Sequence, residues 1–236
     1  MEIVVAKEPP KGFDLSITVP SKYPEELLIG DLNQIINPVT GSHPDKKRVQ
    51  IWLENARESN TEQLKKLNFS PYRDLLQMRC QLPTPLEGLE TRPFHRGIDE
   101  TSFLEVNSRA FHWHPEQGTL NIEKLTDIFE EDWFEEEGFR LYEIDDKLAG
   151  FCWTKIHSES TGNIGEIFAI AVDPKFHGKG LGKPLTVSGL QHIASKGITS
   201  GMLYVESDNL PAIHVYNQIG FRIHTINRAF HNQPSK

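Results

Sequence analysis

Apolar positions along the chain fall into three textures. Up to about Val49 they are sparse: Ile3, Val4 and Val5 form a strand-like start, and a stretch rich in Pro, Asn, Gly and Lys follows. Such a stretch reads as loops with short elements, because these residues favour turn conformations over regular ladders. From Val49 the pattern tightens. Val49, Ile51 and Leu53 alternate as in a strand, Thr61 to Leu67 reads as a helix, and Tyr72 to Met78 as a second strand. Pro83, Pro85 and Gly88, within Cys80 to Glu90, mark a linker.

From Leu89 the pattern is sustained. Glu90 to Phe94 reads as a strand. Asp99 is placed to cap a helix whose apolar face carries Phe103, Leu104, Val106 and Phe111. A second helix is predicted from Asn121 towards Trp133. Strands Arg140–Ile144 and Leu148–Ile156 are joined by the turn Asp145-Asp146-Lys147. There follow a strand at Glu166–Val172, a helix from Gly180 to about Ser195, a strand at Met202–Glu206, a helix from Asn209 to Gln218 and a last strand from Phe221. This order predicts an α/β fold with a mixed sheet covered by helices.

The chain also echoes itself. Trp52 to Phe69 spans the same interval as Tyr204 to Phe221, with Leu53-Glu54 matching Val205-Glu206 and Leu67-Asn68-Phe69 matching Ile219-Gly220-Phe221. Both segments read strand, helix, strand, which suggests duplication of the second half of a domain.

Composition narrows the function classes. A chain of 236 residues suits one large domain, or one domain with a smaller partner. A formal net charge of −8 opposes sequence-independent binding to nucleic-acid phosphates. The run Glu130, Glu131, Asp132, Glu135, Glu136, Glu137 reads either as a field that draws a cationic substrate or as a solvated helix end. Met1 to Pro10 has no secretory pattern, and no run is apolar enough to span a membrane. Two cysteines, Cys80 and Cys152, form no disulfide framework. These features predict a cytoplasmic protein without membrane or nucleic-acid partners; the expected assembly is a monomer, which they do not themselves determine.

The sharpest local signal is His177-Gly178-Lys179-Gly180-Leu181-Gly182, after a strand and opening a helix. Glycines let successive N–H groups turn towards one point, and a helix N-terminus behind them favours an anion. A nucleotide P-loop is excluded, because His177 stands where its first Gly belongs and Pro184 where its Ser/Thr belongs. A dinucleotide fingerprint fails as well. By itself the loop reads equally as a glycine-rich turn that starts a helix.

Preceded by Ile170-Ala171-Val172-Asp173-Pro174, the loop resembles the acetyl-CoA pyrophosphate loop of the GNAT superfamily, Gln/Arg-x-x-Gly-x-Gly/Ala, with His177 departing from the usual Gln or Arg. Four further motifs in order are similar to the mycothiol synthase family: Phe111-His112-Trp113-His114-Pro115-Glu116-Gln117-Gly118, Gly150 to His157, Gly165-Glu166 and Leu203 to Asn209. That similarity covers about Leu89 to Phe230. It implies two tandem GNAT domains with chemistry in the second, and acetyl transfer from acetyl-CoA to the cysteinyl amine of Cys-GlcN-Ins.

The resemblance also implies roles. Glu166 becomes the general base and Tyr216 the acid that protonates the departing thiolate. The backbone at Ile170, Ala171 and Val172 would pair with pantetheine, and the N–H near Ile170 would meet the thioester oxygen. The pyrophosphate would lie on His177, Gly178, Lys179, Gly180, Leu181, Gly182 and Lys183. Asn209, Leu210, Pro211, Ala212, Ile213 and His214 would lie along the rest of CoA. Glu116, Lys155, Glu166 and Tyr204 would contact the acceptor, whose hydroxyls suit such groups. His112 and His114 beside Glu116 hint at a metal, but too few ligands gather for one and the implied chemistry needs none.

Where a full first GNAT domain should carry its own glycine loop, Gly30 and Gly41 are too far apart to cradle a pyrophosphate. The expectation is therefore a degenerate partial GNAT repeat at 1–82, unable to bind CoA, a linker at 83–88 and a catalytic domain at 89–236. Two other functions share the loop: acetylation of another small amine or a protein N-terminus, and a non-catalytic CoA-binding regulatory module.

Overall fold

The computed structural model describes residues 2–24, 28–40, 47–112, 117–159 and 162–232. The chain divides into two compact units. One comprises Met1–Gln77, Val205–Asn209 and Ile223–Lys236; the other comprises Met78–Tyr204 and Leu210–Arg222. This partition differs from the linear one read from the sequence, because the end of the chain joins the N-terminal unit as a strand. No helix among the described residues is long and apolar enough to cross a membrane.

In the first unit, strand β1 (Val4–Val5) runs antiparallel to β2 (Leu15–Val19), and β2 runs parallel to β3 (Val49–Leu53). Helix α1 (Leu28–Thr40) makes the crossover that a parallel pair requires. Both β2 and α1 lie where the sequence suggested only loops and short elements. The reason is visible in α1: Leu28, Leu32, Ile35, Ile36 and Val39 keep a helical period, but Gly30, Asn33, Asn37 and Pro38 dilute it. Helix α2 (Glu58–Lys66) and strand β4 (Phe69–Gln81) follow. The terminal strand β10 (Arg222–Asn232) pairs antiparallel with β3, from Arg228↔Leu53 to His231↔Gln50. Ile17, Leu32, Val49, Ile51, Leu64 and Phe230 are fully buried in this unit's core.

In the second unit, β5 (Arg92–Pro93), β6 (Phe139–Ile144), β7 (Lys147–Glu159) and β8 (Gly162–Val172) pair antiparallel in order. Asp145 and Asp146 make the two-residue turn between β6 and β7, both with positive φ (53° and 56°), as the twist of a tight hairpin demands. Strand β9 (Ser200–Glu206) runs parallel to β8. Strand alternation sends Phe151 and Trp153 to one face and Cys152 to the other. On the first face they join α3 (Glu100–Ala110) and α4 (Ile122–Phe129) in an aromatic core. There Phe139 stacks on Trp153 at 4.3 Å and Phe94 on Phe139 at 4.6 Å. Burial of each such ring contributes about 1.5–3 kcal/mol. On the other face lies α5 (Gly182–Ser195), which approaches closely because Gly189 has no side chain: a Cβ there would collide with Cys152 Sγ.

Two local expectations change. Asp99 stands at the N-cap of α3, but its carboxylate turns away from the helix, taking Arg92 at 2.7 and 2.8 Å and the His95 N–H at 2.8 Å. Helix α4 ends at Phe129, short of Trp133, because Trp133 and Phe134 turn inward onto Trp153.

The repeat is longer than the sequence echo. Adding 152 to each residue number carries β2, α1, β3, α2 and β4 onto β8, α5, β9, α6 (Leu210–Ile219) and β10, element upon element. The expectation that only the second half of a unit recurs is therefore corrected: a strand and a helix precede Val49 as well.

Candidate active site

The two parallel ladders of the repeat differ at one place. In the first unit β2 and β3 stay paired to their last residues, Val19↔Leu53, and the Glu54 N–H continues to the Val19 carbonyl at 3.0 Å. In the second, β8 and β9 pair only as Gly165↔Gly201, Glu166↔Met202 and Ile167↔Leu203. The ladder stops where β8 bulges: Trp153 faces Ala169, Thr154 faces Ile167, and Phe168 is the extra residue between them. Beyond it Ile170, Ala171 and Val172 pair with Cys152, Phe151 and Gly150 of β7, and among the described residues the β8–β9 ladder does not extend to their other edge. Unpaired backbone groups on that edge suit the amides of an extended ligand.

The strand leads into Asp173, Pro174–Phe176 as a short 3-10 turn, and then the glycine loop. Asp173 is buried. It accepts from Arg109 Nη2 at 2.6 Å and Nε at 3.2 Å, and from the Lys175 N–H at 3.0 Å. Burial by itself would raise the pKa of this carboxyl; the hydrogen bonds from Arg109 and Lys175 outweigh it and hold the group below its ordinary value. The C-terminal end of α3 is thereby tied to the base of the loop.

Gly178 and Gly180 have φ of 79° and 70°, a conformation that side chains resist. A Cβ on Gly178, Gly180 or Gly182 would meet nothing within 4 Å. None of the described hydrogen bonds takes the N–H groups from 178 to 183, which stand at the start of a helix of 14 residues. Lys175, Lys179 and Lys183 add positive charge. An open glycine face, free amides, a helix N-terminus and nearby lysines fit a pyrophosphate. With the open edge of β8, the residues present fit acetyl-CoA. His177 turns its Nε2 to the Val172 carbonyl at 3.0 Å, so this departure from Gln or Arg braces the loop.

Glu166 lies in the last paired stretch before β8 opens, with its side chain 11% exposed. Its Oε2 is 2.5 Å from His157 Nε2. Lys155 is directly across the β7–β8 ladder, yet its ammonium lies 4.3 Å from the Trp133 ring centroid and 5.8 Å from Phe168. His157 and Trp133 were missed as site residues. Signals for both existed, in the alternation Lys155-Ile156-His157 and in an aromatic pair set within an acidic run. The acidic run itself is largely engaged by cations: Arg96 reaches Glu130 and Glu136, and Lys196 pairs with Glu135.

Tyr204 follows Met202 on β9 and is 38% exposed. Tyr216 lies buried on α6, edge-on to Phe221 at 5.8 Å. Burial, with a further contribution from Cys152, pushes its phenol well above the usual value. Leu210, Pro211, Ala212, Ile213 and His214 form the first turns of the same helix, and Leu210 is exposed. Asn209 closes the preceding turn through its N–H to the Glu206 carbonyl at 3.0 Å, and belongs to the first unit. Glu116 lies outside the described residues.

Residues 101–221 match the Acetyltransferase (GNAT) family. Among curated relatives, a mycothiol acetyltransferase of Catenulispora acidiphila is 40% identical over 184 residues, which is 74% of this chain and 59% of the relative. One of Actinosynnema mirum is 41% identical over 199 residues, 80% of this chain and 65% of the relative. The chain thus spans about three fifths of their length. A solved GCN5-related N-acetyltransferase from Sphaerobacter thermophilus superposes with a TM-score of 0.74 at 18% identity, over 98% of this chain and 75% of that one.

Proposed function

The chain belongs to the acetyltransferase (GNAT) family, and from that premise we propose that it transfers the acetyl group of acetyl-CoA to the cysteinyl amine of Cys-GlcN-Ins, giving mycothiol and CoA. The observation that carries the reading is the placement of Glu166: a buried carboxylate in the last paired stretch of β8, just before the strand edge opens towards the glycine loop. The named relatives support the choice of acceptor.

Acetyl-CoA supplies an acyl group activated as a thioester. The loop amides and the open edge of β8 would hold it, so that the reacting carbon is positioned rather than left to collision. Glu166 takes a proton from the acceptor ammonium, directly or through a water, and frees the nitrogen lone pair for attack. The backbone N–H near Ile170 donates to the carbonyl oxygen as its charge grows. Tyr216 gives its phenolic proton to the leaving sulfur. Lys155, Tyr204 and Glu116 would contact the hydroxyl-rich acceptor.

The test is CoA release by the purified chain with acetyl-CoA and Cys-GlcN-Ins, with the product identified by mass spectrometry. N-acetylated product that disappears in Glu166→Gln is the expected result. Bound acetyl-CoA without product would reject this acceptor, and a panel of other small amines and peptide N-termini would then identify the right one.

A further inference from the structure

Two basic side chains on β7 share a face with Glu166, and the carboxylate takes the less obvious one. Lys155 is its direct partner in the ladder, but the Lys155 ammonium is drawn onto Trp133. His157, two residues along, instead brings Nε2 to within 2.5 Å of Glu166 Oε2. On the other side of β8 the residue paired with Glu166 is Met202, which carries no charge.

We propose that His157 is a positioning residue for the general base. A carboxylate has no proton to donate, so Nε2 carries the hydrogen and the bond fixes the imidazole tautomer. With Oε2 engaged, Oε1 is the oxygen left to take the proton of the incoming amine. The bond also holds the carboxylate in one rotamer, since glutamate otherwise samples several. His157 is 32% exposed and Glu166 only 11%, so the imidazole forms the solvent side of the pair. The assignment rests on Glu166 acting as the base in the proposed reaction.

Two measurements test it. In protein labelled with nitrogen-15 histidine, the His157 shifts should report the Nε2–H tautomer, and Glu166→Ala, which removes the acceptor, should release it into a mixture. This readout needs no acceptor amine, so it stands even if Cys-GlcN-Ins is not the substrate. The second is kinetic, with the amine the enzyme accepts. His157→Leu should lower kcat by roughly ten- to hundredfold and leave KM for acetyl-CoA unchanged, while His157→Gln, which keeps an N–H donor near the same point, should restore most of the rate. Binding of acetyl-CoA by calorimetry confirms that each variant is folded. A tautomer indifferent to Glu166→Ala, or a Leu variant as fast as the parent, would overturn the proposal. Failure of the parent to acetylate Cys-GlcN-Ins would instead reject the acceptor.

Discussion

Asn68 and Gly220 stand 152 residues apart at the same point of the repeat, each with positive φ (62° and 113°), each just past the end of a helix and before a buried phenylalanine. The offset that joins them also sets Leu64 where Tyr216 stands. The first copy therefore lacks the phenol. Its β2–β3 ladder is closed to the end, whereas β8–β9 opens after Ile167.

Gly220→Ala isolates the backbone requirement at that point. Nothing lies within 4 Å of a Cβ there, so the methyl meets no neighbour and only its conformation is strained. A left-handed conformation costs a side chain about 1–2 kcal/mol. Urea unfolding should show a loss of that size with an unchanged m-value, because the surface exposed on unfolding stays the same.

Binding of acetyl-CoA is expected at one site per chain. In the first unit the strand edges that would accept pantetheine are occupied by each other, out to Val19↔Leu53. Calorimetric titration should give a stoichiometry of one. Gly180→Ala, at a φ of 70°, should weaken that site by about tenfold through the same 1–2 kcal/mol of strain.

Much of this was legible in advance, and what was not has identifiable causes. The Asp145-Asp146 turn, the alternation of β7 and the glycine loop are local signals, each written in adjacent residues. Helix α1 was hidden because its apolar period is interrupted by Gly30, Asn37 and Pro38; the last strand was legible, but not its pairing with β3, which lies far back in the chain. The opening of β8 was implied by the family resemblance but is not written in the strand itself. It follows from a one-residue bulge at Phe168, and a bulge is a property of pairing between strands rather than of either strand alone. The His157–Glu166 contact needed the ladder register, which alternation suggests but does not fix.

Asp173→Asn should destabilise the fold, and the effect should depend on pH. The folded carboxyl titrates below its ordinary value, so its contribution is present above about pH 4 and is lost as pH falls through the folded value. Charged hydrogen bonds of this kind contribute about 1.5–3 kcal/mol. Arg109 is one-third exposed, which favours the lower end of that range. Denaturation at pH 7 should therefore separate parent from variant by roughly 1.5–2 kcal/mol, and the gap should narrow below about pH 4.

Tyr216→Phe removes one oxygen from a buried helix face and so separates chemistry from packing. None of the described hydrogen bonds engages the Tyr216 hydroxyl, and it is not one of the fully occluded polar atoms without a partner, so its loss leaves no orphaned group behind. The variant should fold and bind acetyl-CoA like the parent. In the proposed reaction it loses the acid that protonates the leaving sulfur, and kcat should fall by about 10²-fold or more. The raised phenol keeps its proton through pH 10, so the alkaline side of the parent's rate profile below that point belongs to another group. Stability gives an independent check of the same shift. A group whose folded pKa is raised stabilises fully below its unfolded value, near pH 10, and that contribution drains away as pH rises further. Urea midpoints should accordingly fall more steeply above pH 10 in the parent than in Tyr216→Phe. If the two fall together, the phenol is not held in its buried neutral state, and its assignment as the acid loses its physical basis.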